Sequence, residues 1–478
     1  MSKYKEPYMR WLLSLFLIVG TLHAQDTPAI SIAGSWEGAL KAGAIELRLG
    51  FTLKADDKGN ITGTMVSIDQ GNVELPVNKA TLIKNEMKIH VAKAAASFIG
   101  TLNVAGDSAE GHWLQGVTKL PLTIKKVKSV TKLVRPQEPK PPFPYQAEEV
   151  TYENAPAKVK IAGTLTIPKG DGPFPAVLLI TGSGPQDRDE SLLGHKPFAV
   201  LADYLTRRGI VVLRVDDRGV GKSTGKFGEA TSFDFADDAL AGVQFLKTRN
   251  EVDSKRIGLA GHSEGGLIAP IVASKSSDVA FIVLLAGTGL TGEEIIYLQS
   301  KLIAEAEGAK ASDTKTNEVL QRKIFAMVKA EPAGPELVKK LLAMAKEEVD
   351  KLTPEQKKEM DKQGGMAALT ASLGEFTKPW FKTFLAYDPT TSLKKVKCPV
   401  LAINGELDLQ VPYKENLEAI RYALESSGNT QVTTKSFPKL NHLFQTSKTG
   451  SPTEYGKIEE TFNPAALKVI GDWILERK

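Results

Sequence analysis

Arg256-Ile257-Gly258-Leu259-Ala260-Gly261-His262-Ser263-Glu264-Gly265-Gly266-Leu267-Ile268-Ala269 reads as a strand, a sharp turn and the start of a helix. An apolar run of strand length precedes the turn, and helix-forming residues follow it. The turn fits G-x-S-x-G, a pattern that holds its central serine in a strained conformation at the edge of a sheet. Glycines at 261 and 265 leave space where side chains would collide. Ser263 is therefore the candidate nucleophile, poised over the first turn of a helix.

A serine hydroxyl needs a base. The six histidines are His23, His90, His112, His195, His262 and His442. A nucleophile on this kind of turn is followed along the chain by Asp or Glu and then by His. His442 alone follows Ser263, in the polar loop Pro438-Lys439-Leu440-Asn441-His442. The acid is expected just after the apolar run at 400–403. Asp408 is the candidate there, with Glu406 as the alternative. Such a carboxylate fixes the imidazole tautomer and stabilises the imidazolium. His262 is expected to point away from the turn. His90 and His112 fall at strand positions with no carboxylate–histidine cluster around them.

Around this segment, apolar runs at 176–180, 210–215, 257–260, 281–285 and 400–403 alternate with helical stretches. Continuous apolar runs suit strands buried on both faces. Strands alternating with helices predict a mostly parallel, doubly wound α/β sheet. Residues 292–385 interrupt the rhythm with Lys, Glu, Ala and Leu at helical spacing. They read as a helical cap inserted above the carboxyl edge of the sheet. Trp380, Phe381 and Phe384, where the cap returns to the core, are expected either to wall an acyl pocket or to anchor the cap.

Residues 30–128 have a different texture. Alternation is visible in Ile45-Glu46-Leu47-Arg48-Leu49-Gly50-Phe51, and turn signals recur at 57–60, 69–72 and 106–107. This predicts a small antiparallel barrel or sandwich. Residues 129–147 form a linker with five prolines between Arg135 and Pro144, a composition that favours an extended, semi-rigid spacer. Residues 1–24 carry Lys3, Lys5 and Arg10, then the short apolar run 11–22, then Ala24. That is the pattern of a secretory signal peptide, and the run is short for a membrane span of about 20 residues. A periplasmic or secreted protein is expected, with no stable membrane insertion after removal of the signal.

The whole chain of 478 residues is 42% hydrophobic and 24% charged, a globular composition. Its net charge of +5 is small for that length, and no basic block marks a nucleic-acid surface. A single cysteine, Cys398, excludes a disulfide scaffold and any multi-cysteine metal site. Gly221-Lys222-Ser223 imitates the end of a phosphate loop, but Asp216 stands where the loop's first glycine belongs.

Residues 148–478 resemble the α/β-hydrolases, in particular the bacterial secreted esterases grouped with serine aminopeptidase-like hydrolases. The likeness rests on Thr181-Gly182-Ser183-Gly184-Pro185-Gln186-Asp187-Arg188-Asp189, Asp216-Asp217-Arg218-Gly219-Val220-Gly221-Lys222-Ser223 and the serine turn. Asn404-Gly405-Glu406-Leu407-Asp408-Leu409-Gln410-Val411-Pro412 and Leu440-Asn441-His442-Leu443-Phe444-Gln445-Thr446 complete it. Residues 30–128 resemble a β-rich module found ahead of secreted bacterial hydrolases. The resemblance implies hydrolysis of small-molecule carboxylic esters through an acyl-enzyme on Ser263, with His442 and Asp408 and with no metal or organic cofactor. It implies an oxyanion hole of the Ser183 and Glu264 backbone N–H groups. A serine peptidase of the same fold, and a surface-binding protein with an inert hydrolase domain, are the alternatives. Thr181 departs from the pattern, since related hydrolases commonly carry histidine there.

Overall fold

A computed structural model describes residues 31–42, 45–116, 118–362 and 365–477. The expected signal peptide at 1–24 lies outside the described residues. Eight strands come first: β1 (Gly34–Ala42), β2 (Ile45–Ala55), β3 (Ile61–Ser67), β4 (Val73–Ile83), β5 (Glu86–Val91), β6 (Ala96–Leu102), β7 (Ser108–Gln115) and β8 (Thr118–Val127). Each pairs antiparallel with the next, and β1 closes on β8 with Ser35 opposite Val127. Of the two expected architectures it is the barrel. Closure removes the unpaired strand edges that invite aggregation. Alternation sends every second side chain inward, as the regular exposed–buried pattern of β5 shows. Trp36, Phe51, Met87, Phe98 and Trp113 fill the interior, so the barrel is a packed core.

The second sheet contains β9 (Gln146–Asn154), β10 (Val159–Ile167), β11 (Phe174–Ile180), β12 (Val211–Val215), β13 (Val252–His262), β14 (Phe281–Leu285), β15 (Val400–Gly405) and β16 (Val432–Phe437). Their spatial order is β16-β15-β14-β13-β11-β12-β10-β9. The six strands β11 to β16 are mutually parallel, and β10 lies antiparallel to both β12 and β9. The β9–β10 hairpin was absent from the sequence reading for a physical reason. β9 is an edge strand whose residues alternate between exposed and buried, so it lacks the continuous apolar run of its neighbours.

Helices α1 (Pro197–Arg207), α2 (Ser232–Lys247) and α3 (Glu264–Lys275) connect the early strands. Helices α4 (Gly292–Ala306), α5 (Ala311–Ala330), α6 (Pro335–Asp350), α7 (Pro354–Lys362), α8 (Gly365–Glu375) and α9 (Pro379–Ala386) form the cap. Helices α10 (Thr390–Leu393), α11 (Tyr413–Glu425) and α12 (Pro464–Leu475) follow. Side chains alternate across β11 and separate two cores. Ala176, Leu178 and Ile180 pack with α2, α3 and α11, while Val177 and Leu179 pack with α1 and α12. This is the doubly wound arrangement, with the cap inserted between β14 and β15. The cap has its own small core of Tyr297, Phe325, Val328, Leu337, Leu341 and Phe381.

The proline-rich linker is not a free spacer. Arg135 is buried, and its guanidinium donates to the carbonyls of Leu193, Gly456 and Ile458 at 2.8–3.1 Å. Gln137 accepts from the N–H groups of Thr461 and Phe462 and donates to the Phe462 carbonyl. Beside them the barrel touches the second sheet's domain directly. Gly71 lies so close to Gly194 that a Cβ on either would meet the other's backbone. A stretch that composition marks as a spacer is thus pinned through Arg135 and Gln137 by side-chain hydrogen bonds.

Candidate active site

Ser263 sits between β13 and α3 with φ 54° and ψ −115°. A side chain rarely enters this region, and holding it there costs about 1–3 kcal/mol. The surroundings leave no gentler path. A Cβ at Gly261 would collide with the Gly265 carbonyl, and one at Gly265 with the Ile180 carbonyl. The Ser263 N–H donates to the Leu285 carbonyl at 2.9 Å, which ties the turn to the end of β14. Ser263 therefore stands at the carboxyl edge of the middle of the sheet, where open α/β sheets bind their ligands.

Asp408 and His442 arrive on the loops after β15 and β16. Asn404, buried at the end of β15, donates to the Val411 carbonyl at 2.7 Å and folds the first loop back. Asp408 Oδ1 accepts from the N–H groups of Gln410 and Val411, both at 2.8 Å. Its Oδ2 meets His442 Nδ1 at 2.8 Å, and the carboxylate is fully buried. A carboxylate held this way keeps the proton on Nδ1 and leaves Nε2 as the base. Glu406, the alternative acid, is exposed and accepts from the Ser436 hydroxyl instead. Asn441 stiffens the second loop, its Oδ1 accepting from the N–H groups of Leu443 and Gln445.

His262 does not point away from this assembly. Its Nδ1 lies 2.9 Å from Glu190 Oε1, its Nε2 lies 3.0 Å from the His442 carbonyl, and the rings of His262 and His442 are 4.7 Å apart. Burial by itself lowers the pKa of His262, but the adjacent Glu190 carboxylate outweighs it and holds the imidazole above its ordinary value. Contacts at both ring nitrogens clamp the base loop to the nucleophile's strand. Glu190 also accepts the Gly182 N–H at 2.8 Å. Sequence reading missed this pair because residues 190, 262 and 442 meet only in the folded chain.

Gly182 brings the loop after β11 to the nucleophile, since a Cβ there would lie 3.2 Å from Ser263 Cβ. Ser183, expected as an oxyanion donor, follows at once. Glu264 is the first residue of α3, so its N–H belongs to the unpaired, electropositive first turn of a helix. Both expected donors thus adjoin Ser263. A pocket adjoins the turn at Glu264, walled by Ile180, Val215, Phe227 and Phe235, with Asp217 and Glu264 on its surface. Burial pushes Asp217 up to about 7, against hydrogen bonds from the Gln186 N–H and the Thr181 hydroxyl. Thr181, at the departure from the family pattern, is thereby engaged.

The three cap aromatics do not wall this pocket. Phe381 lies in the cap's own core, and Phe384 packs into the core on the α2–α3 side of the sheet. Trp380 stacks on Phe384, with centroids 5.1 Å apart, and its indole N–H donates to Glu264 Oε1 at 2.7 Å. The packing makes them the seam between cap and sheet, and their burial leaves little surface for an acyl chain. Cys398 is partly buried with its thiol pushed up to about 12, which makes it an inert packing residue. Among the described residues no group of three His, Cys, Asp or Glu side chains is placed to hold a metal ion.

Two family models match successive stretches of the chain, "Serine aminopeptidase, S33" over residues 196–360 and "Prolyl oligopeptidase family" over residues 367–463. Together with the strand order and the serine turn they place the chain. It has the α/β-hydrolase fold. The chain is 29% identical over 317 residues to esterase EstD of Thermotoga maritima, a match covering 66% of the chain and 64% of that relative. Among solved structures, an esterase of Pyrococcus furiosus is 20% identical with a TM-score of 0.39, the match covering 70% of this chain and 93% of that one. Est1E from Butyrivibrio proteoclasticus, solved with ferulic acid bound, is 17% identical with a TM-score of 0.40, covering 69% and 98%.

Proposed function

We propose that this α/β-hydrolase cleaves carboxylic esters of small molecules through an acyl-enzyme on Ser263. The observation that carries the reading is the buried His442–Asp408 pair, whose loop is tied through the His442 carbonyl to His262, the neighbour of a serine whose backbone is strained at the carboxyl edge of the sheet. Ser263 Oγ attacks the ester carbonyl as His442 Nε2 takes its proton. The tetrahedral oxyanion is met by the N–H groups of Ser183 and Glu264, each such donor typically contributing about 3 kcal/mol to the transition state. His442 returns the proton to the leaving alcohol, and water, activated by the same ring, releases the acid.

The curated relative named as an esterase favours ester over amide substrates. The description of the first family model supports a second reading, cleavage of aminoacyl amides. The pattern of residues 1–24 supports export, with the enzyme acting beyond the membrane. A panel of aryl acyl esters beside aminoacyl amides, with a Ser263→Ala control, separates the two readings. Ester turnover that Ser263→Ala abolishes is expected. Turnover of amides alone moves the assignment to a peptidase.

A further inference from the structure

Glu264 follows the nucleophile directly, and its side chain is buried, with 3% of its surface exposed. A buried carboxyl so close to a catalytic centre needs an account. Its Oε1 accepts two hydrogen bonds from two other elements. The Ser232 hydroxyl at the first residue of α2 donates at 2.6 Å, and the Trp380 indole N–H on α9 donates at 2.7 Å. Among the described residues no cation pairs with it, and burial holds its pKa above the ordinary carboxyl value against both hydrogen bonds. The same side chain lines the pocket beside the serine turn. One residue therefore touches the nucleophile's helix, the pocket, the loop region at α2 and the cap.

We propose that Glu264 is a positioning residue that registers the helical cap on the nucleophile turn through Trp380, and that the same bond fixes the Glu264 side chain in the pocket wall and so shapes the acyl site. The cap enters and leaves the sheet domain at α4 and α9, and apolar contacts at that seam are non-directional. Phe384 lies against the start of α4, where a Cβ at Gly292 would collide with it, so the seam has little slack. Stacking of Trp380 on Phe384 gives contact area but allows sliding. The indole–carboxyl hydrogen bond adds a direction and a distance, and a buried donor left without its acceptor is costly. Because the acceptor belongs to the residue whose N–H is an expected oxyanion donor, cap position and the reacting carbonyl are read from one backbone position. The activity arm of the test rests on the ester-hydrolase reading above, and the exchange arm does not.

The full-length variants Trp380→Phe, Glu264→Leu and Glu264→Gln provide the test. Phenylalanine keeps the stack and removes the N–H, leucine removes the acceptor, and glutamine keeps an amide oxygen that accepts both bonds. Hydrogen exchange should be at least tenfold faster across α9 in Trp380→Phe and Glu264→Leu than in the parent, and close to the parent in Glu264→Gln. The ratio of kcat/KM for an octanoyl over an acetyl aryl ester should change at least tenfold in the first two variants, with Glu264→Gln keeping the parent's ranking. Unchanged exchange in α9 of folded Trp380→Phe overturns the tether. So does a Glu264→Gln variant as perturbed as Glu264→Leu. If no ester is turned over by the parent while α9 exchange still follows this pattern, the tether stands and the ester reading falls.

Discussion

Asp408 shows what a single residue must satisfy. Its two oxygens are divided between backbone N–H groups and His442, so an asparagine cannot reproduce both contacts. Asp408→Asn should leave the fold intact and lower kcat by about 10⁴-fold, the scale seen when an imidazole loses its tautomer partner. Glu406→Ala should leave kcat near the parent value, and a reversed pair of results would move the acid. Asp217 gives a pH signature. Its pKa of about 7 in the folded chain lies above the unfolded value near 3.9. Between those values the folded protein holds a proton that the unfolded chain releases, so the group's contribution to stability falls as pH rises from about 4 to 7. Thermal melts of Asp217→Asn and the parent should therefore show a difference that shifts in the variant's favour between pH 5 and pH 8. A difference that is constant with pH would remove Asp217 as the titrating group. Ser263, Asp408 and His442 were legible because their order along the chain is itself a signal. Glu190, His262 and Asp217 were not, because their roles depend on packing between residues far apart in sequence.

Elements differ in how strongly the chain announces them. The runs at β11 to β15 are apolar on both faces and stand out from their neighbours, whereas the half-exposed β9 needs its partner β10 before it can be recognised. The cap was readable as helical from its spacing. Where its aromatics point was not, because the same residues suit a wall or a seam. The structure makes Phe381 part of the cap core, against Phe325 and Phe376. Phe381→Ala should then cost about 3–5 kcal/mol of cap stability, the usual scale for emptying an aromatic site. Limited proteolysis of α5 to α8 should accelerate accordingly. A Phe381→Ala protein that resists protease like the parent, with only its acyl preference changed, would restore the wall assignment.

At the scale of the molecule, a barrel and a hydrolase domain are joined by a docked linker rather than a loose one. Composition predicts the proline stiffness of that linker, but only the fold reveals the carbonyls of Leu193, Gly456 and Ile458 converging on Arg135. Arg135→Met keeps the stem and leaves those buried acceptors without donors, each at a cost of about 1–3 kcal/mol. Trypsin should then cleave near Lys140 faster than in the parent, and the melt should separate into two steps. An unchanged melt and digest would mean that the docking contributes nothing to cohesion. The proposed chemistry rests on the Ser263 hydroxyl oxygen, and one measurement addresses it most directly. The intact protein is treated with a small serine-directed fluorophosphonate, and the modified peptide is mapped by mass spectrometry. The account predicts a single adduct on Ser263, formed far more slowly in Asp408→Asn. An adduct on any other serine, or none on a folded and active enzyme, would contradict it.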